Sequence, residues 1–298
     1  MIPDTPLPFA SLHGADGDLS LTLDRMTLGG DAYRDVSLKM VAAGGRVVVN
    51  PLRMTAPQGI LIGGLTVDAS AEPPQVALTF RSPGLSAAKV SSLLGYPGGA
   101  NGVLQVDAQL SSAGVSPHAL AGALDGHLGL SLVNGSVSGD LLQTMLGGAL
   151  SQAGVPALGG DVPVRCFAAR ADFSHGAGRV RTLALDTPQM AMDGDGDIDL
   201  GDETVALHLR PTVRIGGTGV AALVALTGGF GALKAVLDPV LGGGRVGISI
   251  GGPAPGADAC ASKLALARNG MPGPMPTVSR TPNGPSKKPI DLLRGLFH

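Results

Sequence analysis

The feature that most constrains this chain is an alternation of apolar and polar residues that returns, in the same order, in two registers. Leu19, Leu21 and Leu23 alternate with Ser20 and Thr22, Val36, Leu38 and Met40 with Ser37 and Lys39, and Val76, Leu78 and Phe80 with Ala77 and Thr79. The same period returns at Leu128, Leu130 and Leu132 and again at Val205, Leu207 and Leu209. Successive side chains of a strand point to opposite faces, so each run reads as a strand with one apolar face.

The runs also repeat on a larger scale. Asp16-Gly17, Leu19, Leu21, Leu23, Leu28, Gly30 and Asp31 match Asp125-Gly126, Leu128, Leu130, Leu132, Val137, Gly139 and Asp140 at an offset of 109. Leu52, Pro57-Gln58, Leu61, Gly63, Val67 and Asp68 match Leu183, Pro188-Gln189, Met192, Gly194, Ile198 and Asp199 at an offset of 131. The change of offset places about 22 extra residues in the second copy, and 141–162 fits that length. The expected architecture is mainly β, with a repeated antiparallel meander and a few short helices. Residues 1–111 form a first β-meander module and 112–268 a second one with a helical insertion at 141–162. The Pro-rich stretch 269–298 reads as a disordered tail.

Four helices are expected, at Leu85–Leu94, Pro117–Leu124, Leu141–Gln152 and Ala259–Arg268. Ser116 caps the second with Pro117 at its first position, and Asn269-Gly270 stops the fourth. Val220–Leu237 reads as a fifth helix, against which Gly228, Gly229 and Gly231 weigh.

Bulk properties exclude some functions. There is no Trp, Tyr and Phe together number eight, and the net charge is −2, so the stacking rings and basic face of a nucleic-acid module are missing. Charged residues are only 15 % and mean hydropathy is +0.29, more apolar surface than an ordinary soluble chain carries. Yet the longest apolar stretch, Gly219–Gly244, is broken by glycines, Lys234, Asp238 and Pro239, so it is no bilayer span. The first residues have neither the basic nor the apolar region of a signal peptide.

Motifs of chemistry match by letter and fail by context. Gly247-Ile248-Ser249-Ile250-Gly251 fits G-x-S-x-G, but Gly252-Pro253 forbids the helix that a nucleophile elbow needs, so a strand is expected. The glycines at 242, 244 and 247 and those at 217 and 219 fit dinucleotide fingerprints in the wrong setting. Asp193, Asp195, Asp197 and Asp199 alternate like the start of a calcium loop, but Ile198 and Thr204 stand where the loop needs Gly and Glu. They read as a solvated strand face or turn. The six histidines are scattered. No catalytic residue, cofactor or metal site is expected, and the chain reads as no enzyme.

Residues Gly102–Pro211 carry a family likeness. It runs through Val103-Leu104-Gln105-Val106, Ser116-Pro117, Leu124-Asp125-Gly126, Leu128, Leu130, Asn134-Gly135 and Leu141-Leu142. It resumes at Phe173, Gly178, Val180, Gly194, Gly196, Asp199-Leu200, Leu207, Leu209 and Pro211. This stretch resembles the C-terminal domain of AsmA-family proteins. The resemblance implies a large curved, groove-like sheet, akin to bridge-like lipid-transfer proteins. It also implies the periplasmic side of a bacterial inner membrane, and a part in phospholipid traffic or outer-membrane assembly. The implied partners are phospholipid or another acyl-chain lipid and outer-membrane assembly proteins. The chain lacks the family's anchor helix and the N-terminal half of the groove, which reads as a fragment.

On that resemblance the lipid-facing residues are Leu19, Leu21, Leu23, Leu128, Leu130, Leu132, Met190, Met192, Ile198, Leu200, Leu207 and Leu209. The pattern alone leaves two readings, a trough for acyl chains or the closed core of a structural or protein-interaction module. Cys166 and Cys260 are the only cysteines; in the periplasm they would pair, and otherwise they are two buried thiols. The tail, with Arg280, Lys287, Lys288 and Arg294 near Leu292, Leu293 and Phe297, reads as a solvated end or as a segment resting on an anionic membrane.

Overall fold

In the computed structural model the described residues are 2–28, 31–56, 59–93, 95–144, 159–215, 218–237, 248–253 and 260–276. Their strands join into one antiparallel sheet that follows the chain as a meander. The first five strands are β1 (Gly17–Leu28), β2 (Asp31–Ala43), β3 (Arg46–Ala56), β4 (Gly59–Asp68) and β5 (Gln75–Ser86). Next, β6 (Ala100–Asn101) and β7 (Val103–Ala113) lie end to end along β8 (Asp125–Ser138). The middle continues through β9 (Asp161–Ser174), β10 (Ala177–Asp186), β11 (Met190–Asp199) and β12 (Thr204–Ile215). Along the far edge of β12 lie β13 (Thr218–Ala222) and β14 (Val224–Gly229), which pair in turn with β16 (Ile248–Pro253) and β15 (Lys234–Leu237). Both copies of the sequence repeat thus lie in a single sheet. Among the described residues its two outer edges do not meet.

The repeat has a detailed counterpart in the backbone. The β2–β3 hairpin turns on Gly44 and Gly45, with φ of 57° and 83°, and the β9–β10 hairpin turns on His175 and Gly176, with φ of 51° and 77°. Two adjacent residues in the left-handed region make the turn whose twist matches a hairpin. These turns lie 131 positions apart, the second offset of the sequence. Gly45 O accepts from Ala69 N, and Gly176 O accepts from Leu200 N, each at 3.0 Å. The register of β3 on β4 shifts between Val49 and Leu52, and that of β10 on β11 between Val180 and Leu183, again 131 apart. The connections differ as the sequence requires, since only residues 29–30 separate β1 from β2 while 139–160 separate β8 from β9.

A 3-10 turn at Phe9–Gly14 precedes β1, and three α-helices are described in full. α1 (Ala87–Leu93) and α2 (Pro117–Gly122) lie inside the expected spans, and the Ser116 hydroxyl accepts the Ala119 N–H at 3.1 Å as the cap of α2. α3 (Ala261–Arg268) ends at Asn269, whose φ of 49° stops the helix in the left-handed region. The expected helix at Leu141–Gln152 is helical at 141–144, and its remainder lies outside the described residues.

Val220–Leu237 is not a helix. Its residues form parts of β13, β14 and β15. The open edge of β12 presents a row of N–H and C=O groups that need partners, and this segment supplies them at Leu209↔Val224 through Thr204↔Gly229. That demand outweighs the helical preference of its Ala and Leu residues. The G-x-S-x-G segment enters β16, a strand as expected.

The stretch read as the start of a disordered tail is also ordered at first. Met271 is buried, Pro272 O accepts from Gln105 Nε2, and Pro274 O accepts from Arg268 at 2.7 Å. Residues 277–298 lie outside the described residues.

Candidate functional site

Register places the apolar alternation on one face of the whole sheet. In the first half Leu21 faces Leu38, Leu38 faces Leu52, and the row passes through Gly63 to Phe80 and Ala108. In the second half it continues from Leu128 to Ala171, Val180 and Gly196, then to Leu207, Leu226 and Ala235. A one-residue slip would turn each strand's set to the opposite face. The bulges at Val49/Leu52 and Val180/Leu183 keep the leucines on the apolar side.

The two halves of this face differ in exposure. Leu104, Val106, Leu132, Val180, Met192, Leu209 and Leu226 belong to one buried apolar cluster, joined from α1 by Ala87. Leu209 is 2 % and Leu226 3 % exposed. On the first half Leu19 is 48 %, Leu21 39 %, and Leu65 and Leu78 36 % exposed. The face is therefore mostly closed core at β8–β14 and mostly open apolar surface at β1–β5, where Val36, Ala42, Ala56 and Leu61 are its buried members.

Of the twelve residues assigned to lipid from sequence, Leu19 and Leu21 lie on the open part and Leu23 is half-buried there. Leu128, Leu130 and Ile198 are half-buried, and Leu132, Met190, Met192, Leu207 and Leu209 are buried. Leu200 lies just past β11, in the turn toward β12. Leu65 and Leu78 extend the open part and were not among the twelve. Their signal was the same alternation, visible at Val76, Leu78 and Phe80. Ile60 and Ile62, by contrast, are exposed on the opposite face, 43 % and 44 %.

That opposite face is polar and carries α3. Cys260, just before the helix, is joined to Cys166 on β9 by a disulfide with a Cα–Cα distance of 6.2 Å. Val133, Cys166, Ala168, Leu264 and Ala267 form a small apolar cluster under the helix. The contact is close because β8 has Gly129 there, and a Cβ at that position would run into the carbonyl oxygen of Ala267.

Polar side chains complete the attachment. The buried Arg268 donates to Ser131 Oγ at 3.1 Å, and Ser131 donates to Gln105 Oε1 at 2.9 Å. Burial lowers the Arg268 pKa from its ordinary value, because the charged form loses hydration. The buried Asp107 bonds Arg81 Nε and His127 Nε2, each at 2.8 Å. Asp107 on β7 thus ties Arg81 of β5 and His127 of β8 together on this face.

The four aspartates also take structural partners on this face. Asp195 pairs with Arg210, Asp197 with Arg179 at 3.8 Å and Asp193 with Lys263 at 3.8 Å. Asp199 Oδ1 accepts the Asp202 N–H at 2.9 Å. Among the described residues, no three His, Cys, Asp or Glu side chains are grouped to hold a metal ion.

A large open β-sheet is what the likeness at Gly102–Pro211 implies, and the described strands form one. The AsmA family model matches residues 2–183 of the chain. The chain belongs to the AsmA family. The match takes in nearly the whole first module and the first part of the second, so family character extends further toward the start than the likeness at Gly102–Pro211 reached. Searches of curated proteins and of solved structures find no match. Membership in the AsmA family carries an envelope-related, lipid-transfer-like role. In this AsmA-family chain no described helix is long and apolar enough to cross a membrane.

Proposed function

We propose that the chain is a non-enzymatic component of the bacterial envelope that holds the acyl chains of phospholipid on the open apolar face of β1–β5. The observation that carries this reading is the exposure of Leu19, Leu21, Leu65 and Leu78 on the same face whose continuation at β8–β14 is sealed. Hydrocarbon asks for continuous apolar surface and no polar constellation, and each CH₂ moved out of water contributes about 0.8 kcal/mol. The sealed half serves as the rigid support of the open half.

A periplasmic setting, on the outer side of the inner membrane, suits the Cys166–Cys260 disulfide, since such bonds persist in oxidising compartments. Support for outer-membrane assembly belongs to the same reading through the family. Purified protein, examined by native mass spectrometry after extraction from an envelope fraction, should carry phospholipid. A folded, lipid-free monomer that also leaves a fluorescent fatty acid unbound overturns the proposal.

A further inference from the structure

We infer that the free edge of β1 accepts an added antiparallel strand, a polypeptide segment in which apolar and polar residues alternate. The inference rests on the repeat. β1 and β8 are counterparts at an offset of 109: Asp16, just before β1, accepts the N–H of Gly44, and Asp125, at the start of β8, accepts that of His175. One edge of β8 is taken by β9, the counterpart of β2, and the other by β7. On that second edge Leu104 lies opposite Leu132, Val106 opposite Leu130 and Ala108 opposite Leu128, with Gln105 and Asp107 opposite Ser131 and Gly129. Moved back by 109, these places face Leu23, Leu21, Leu19, Thr22 and Ser20. Among the described residues β1 pairs with β2 alone.

Exposure agrees with this. Leu132 is 5 % exposed, whereas its counterpart Leu23 is half-buried and Leu21 is 39 % exposed. The edge carries the charges of Asp18, Asp24 and Arg25 and no other protection. Native edge strands are blunted by Pro, Lys, bulges or shortness. β1 has twelve residues, neither Pro nor Lys, and its register on β2 runs from Gly17↔Ala42 to Leu28↔Asp31 without a shift.

The β1 edge of a second copy is a poor occupant. A two-fold pairing that keeps the leucines on one face and brings them together is centred on Ser20, on Leu21 or on Thr22. The Ser20 pairing leaves Leu23 opposite Gly17 with no apolar partner. The Leu21 pairing sets Asp18 opposite Asp24, and like charges directly opposite each other destabilise; the Thr22 pairing sets Leu19 opposite the charged Arg25. A separate strand with a residue such as Leu or Val opposite each of Leu19, Leu21 and Leu23 meets no such conflict. It would continue the apolar face by one strand.

The test uses the full chain and a synthetic peptide of residues 103–113, the β7 sequence, as the probe. Hydrogen exchange of the β1 amides should slow by about tenfold with peptide in excess. A peptide of the same composition with its alternation scrambled should leave exchange unchanged, and Leu21→Asp should abolish the effect while exchange in β8–β12 stays as in the parent. Three results overturn the inference: no slowing in β1, equal slowing by the scrambled peptide, or a dimer of the chain alone that Leu21→Asp converts to monomer.

Discussion

The carboxylate of Asp125 accepts the backbone N–H of His175 at 3.0 Å, tying the start of β8 to the turn between β9 and β10. Asp16 does the same for Gly44 at 2.9 Å, tying the start of β1 to the turn between β2 and β3. Each bond fixes the entry of one copy to its first hairpin. Replacing either aspartate by Ala should cost about 1 kcal/mol, the scale of a hydrogen bond at an exposed site. Urea unfolding reads this, and an unchanged midpoint in both variants would show that the turns stand without the carboxylates.

Gly129 lets the last turn of α3 lie close against β8. A methyl group there pushes on the backbone of Ala267, so Gly129→Ala should destabilise by about 1–3 kcal/mol. The hydrogen bond from Arg268 to Ser131 should loosen with it. Faster amide exchange confined to 261–276 is the expected signature, and unchanged exchange there contradicts the close contact.

The disulfide closes a separation of 94 residues. Removing it by Cys166→Ser with Cys260→Ser should cost about 2–5 kcal/mol. The helix should detach more readily than the sheet, because its apolar cluster is small. Limited proteolysis should cut near 260–276 before it cuts within β8–β12. The reverse order argues against a staple.

Two leucines of the apolar face should respond oppositely. Leu209 is 2 % exposed, so Leu209→Ala should cost about 2–5 kcal/mol and leave lipid binding to whatever protein remains folded. Leu21 is 39 % exposed, so Leu21→Asp should leave thermal stability nearly unchanged and weaken fatty-acid binding. Equal binding by Leu21→Asp and the parent would remove β1 from the lipid surface.

Ser70 donates its hydroxyl and its amide to Asp68 Oδ1, at 2.6 and 3.1 Å. The hydroxyl bond is the main cause that holds the Asp68 carboxyl below its usual value of 3.8. Because the folded pKa is depressed, this group stabilises the fold above pH 3.8, and that contribution is lost as pH falls through the folded value. Ser70→Ala should raise the Asp68 pKa toward 3.8 in a carbon-13 NMR titration. An unmoved titration would place the cause elsewhere.

Much of this architecture is legible in the sequence because strand information is local. The period-2 runs give β1, β2, β5, β8 and β12, and the two offsets give the duplication, which the backbone repeats in turns at matching positions, Gly44-Gly45 and His175-Gly176. Val220–Leu237 was misread because its Ala and Leu content favours a helix, whereas the edge of β12, brought near only by folding, requires strands. Residues 270–276 were misread because Pro and Gly report what a segment cannot form. They do not report that Arg268 and Gln105 wait to bind its carbonyls.

The candidate site divides along the same line. The sequence determined that one face of each of those five strands is apolar, because alternation is a property of neighbouring residues. It could not distinguish Leu21 from its counterpart Leu130, or Leu78 from its counterpart Leu207, because their local patterns are alike. The tertiary structure decided that this face is mostly closed at β8–β14 and mostly open at β1–β5, since exposure depends on what the rest of the chain packs against each side chain.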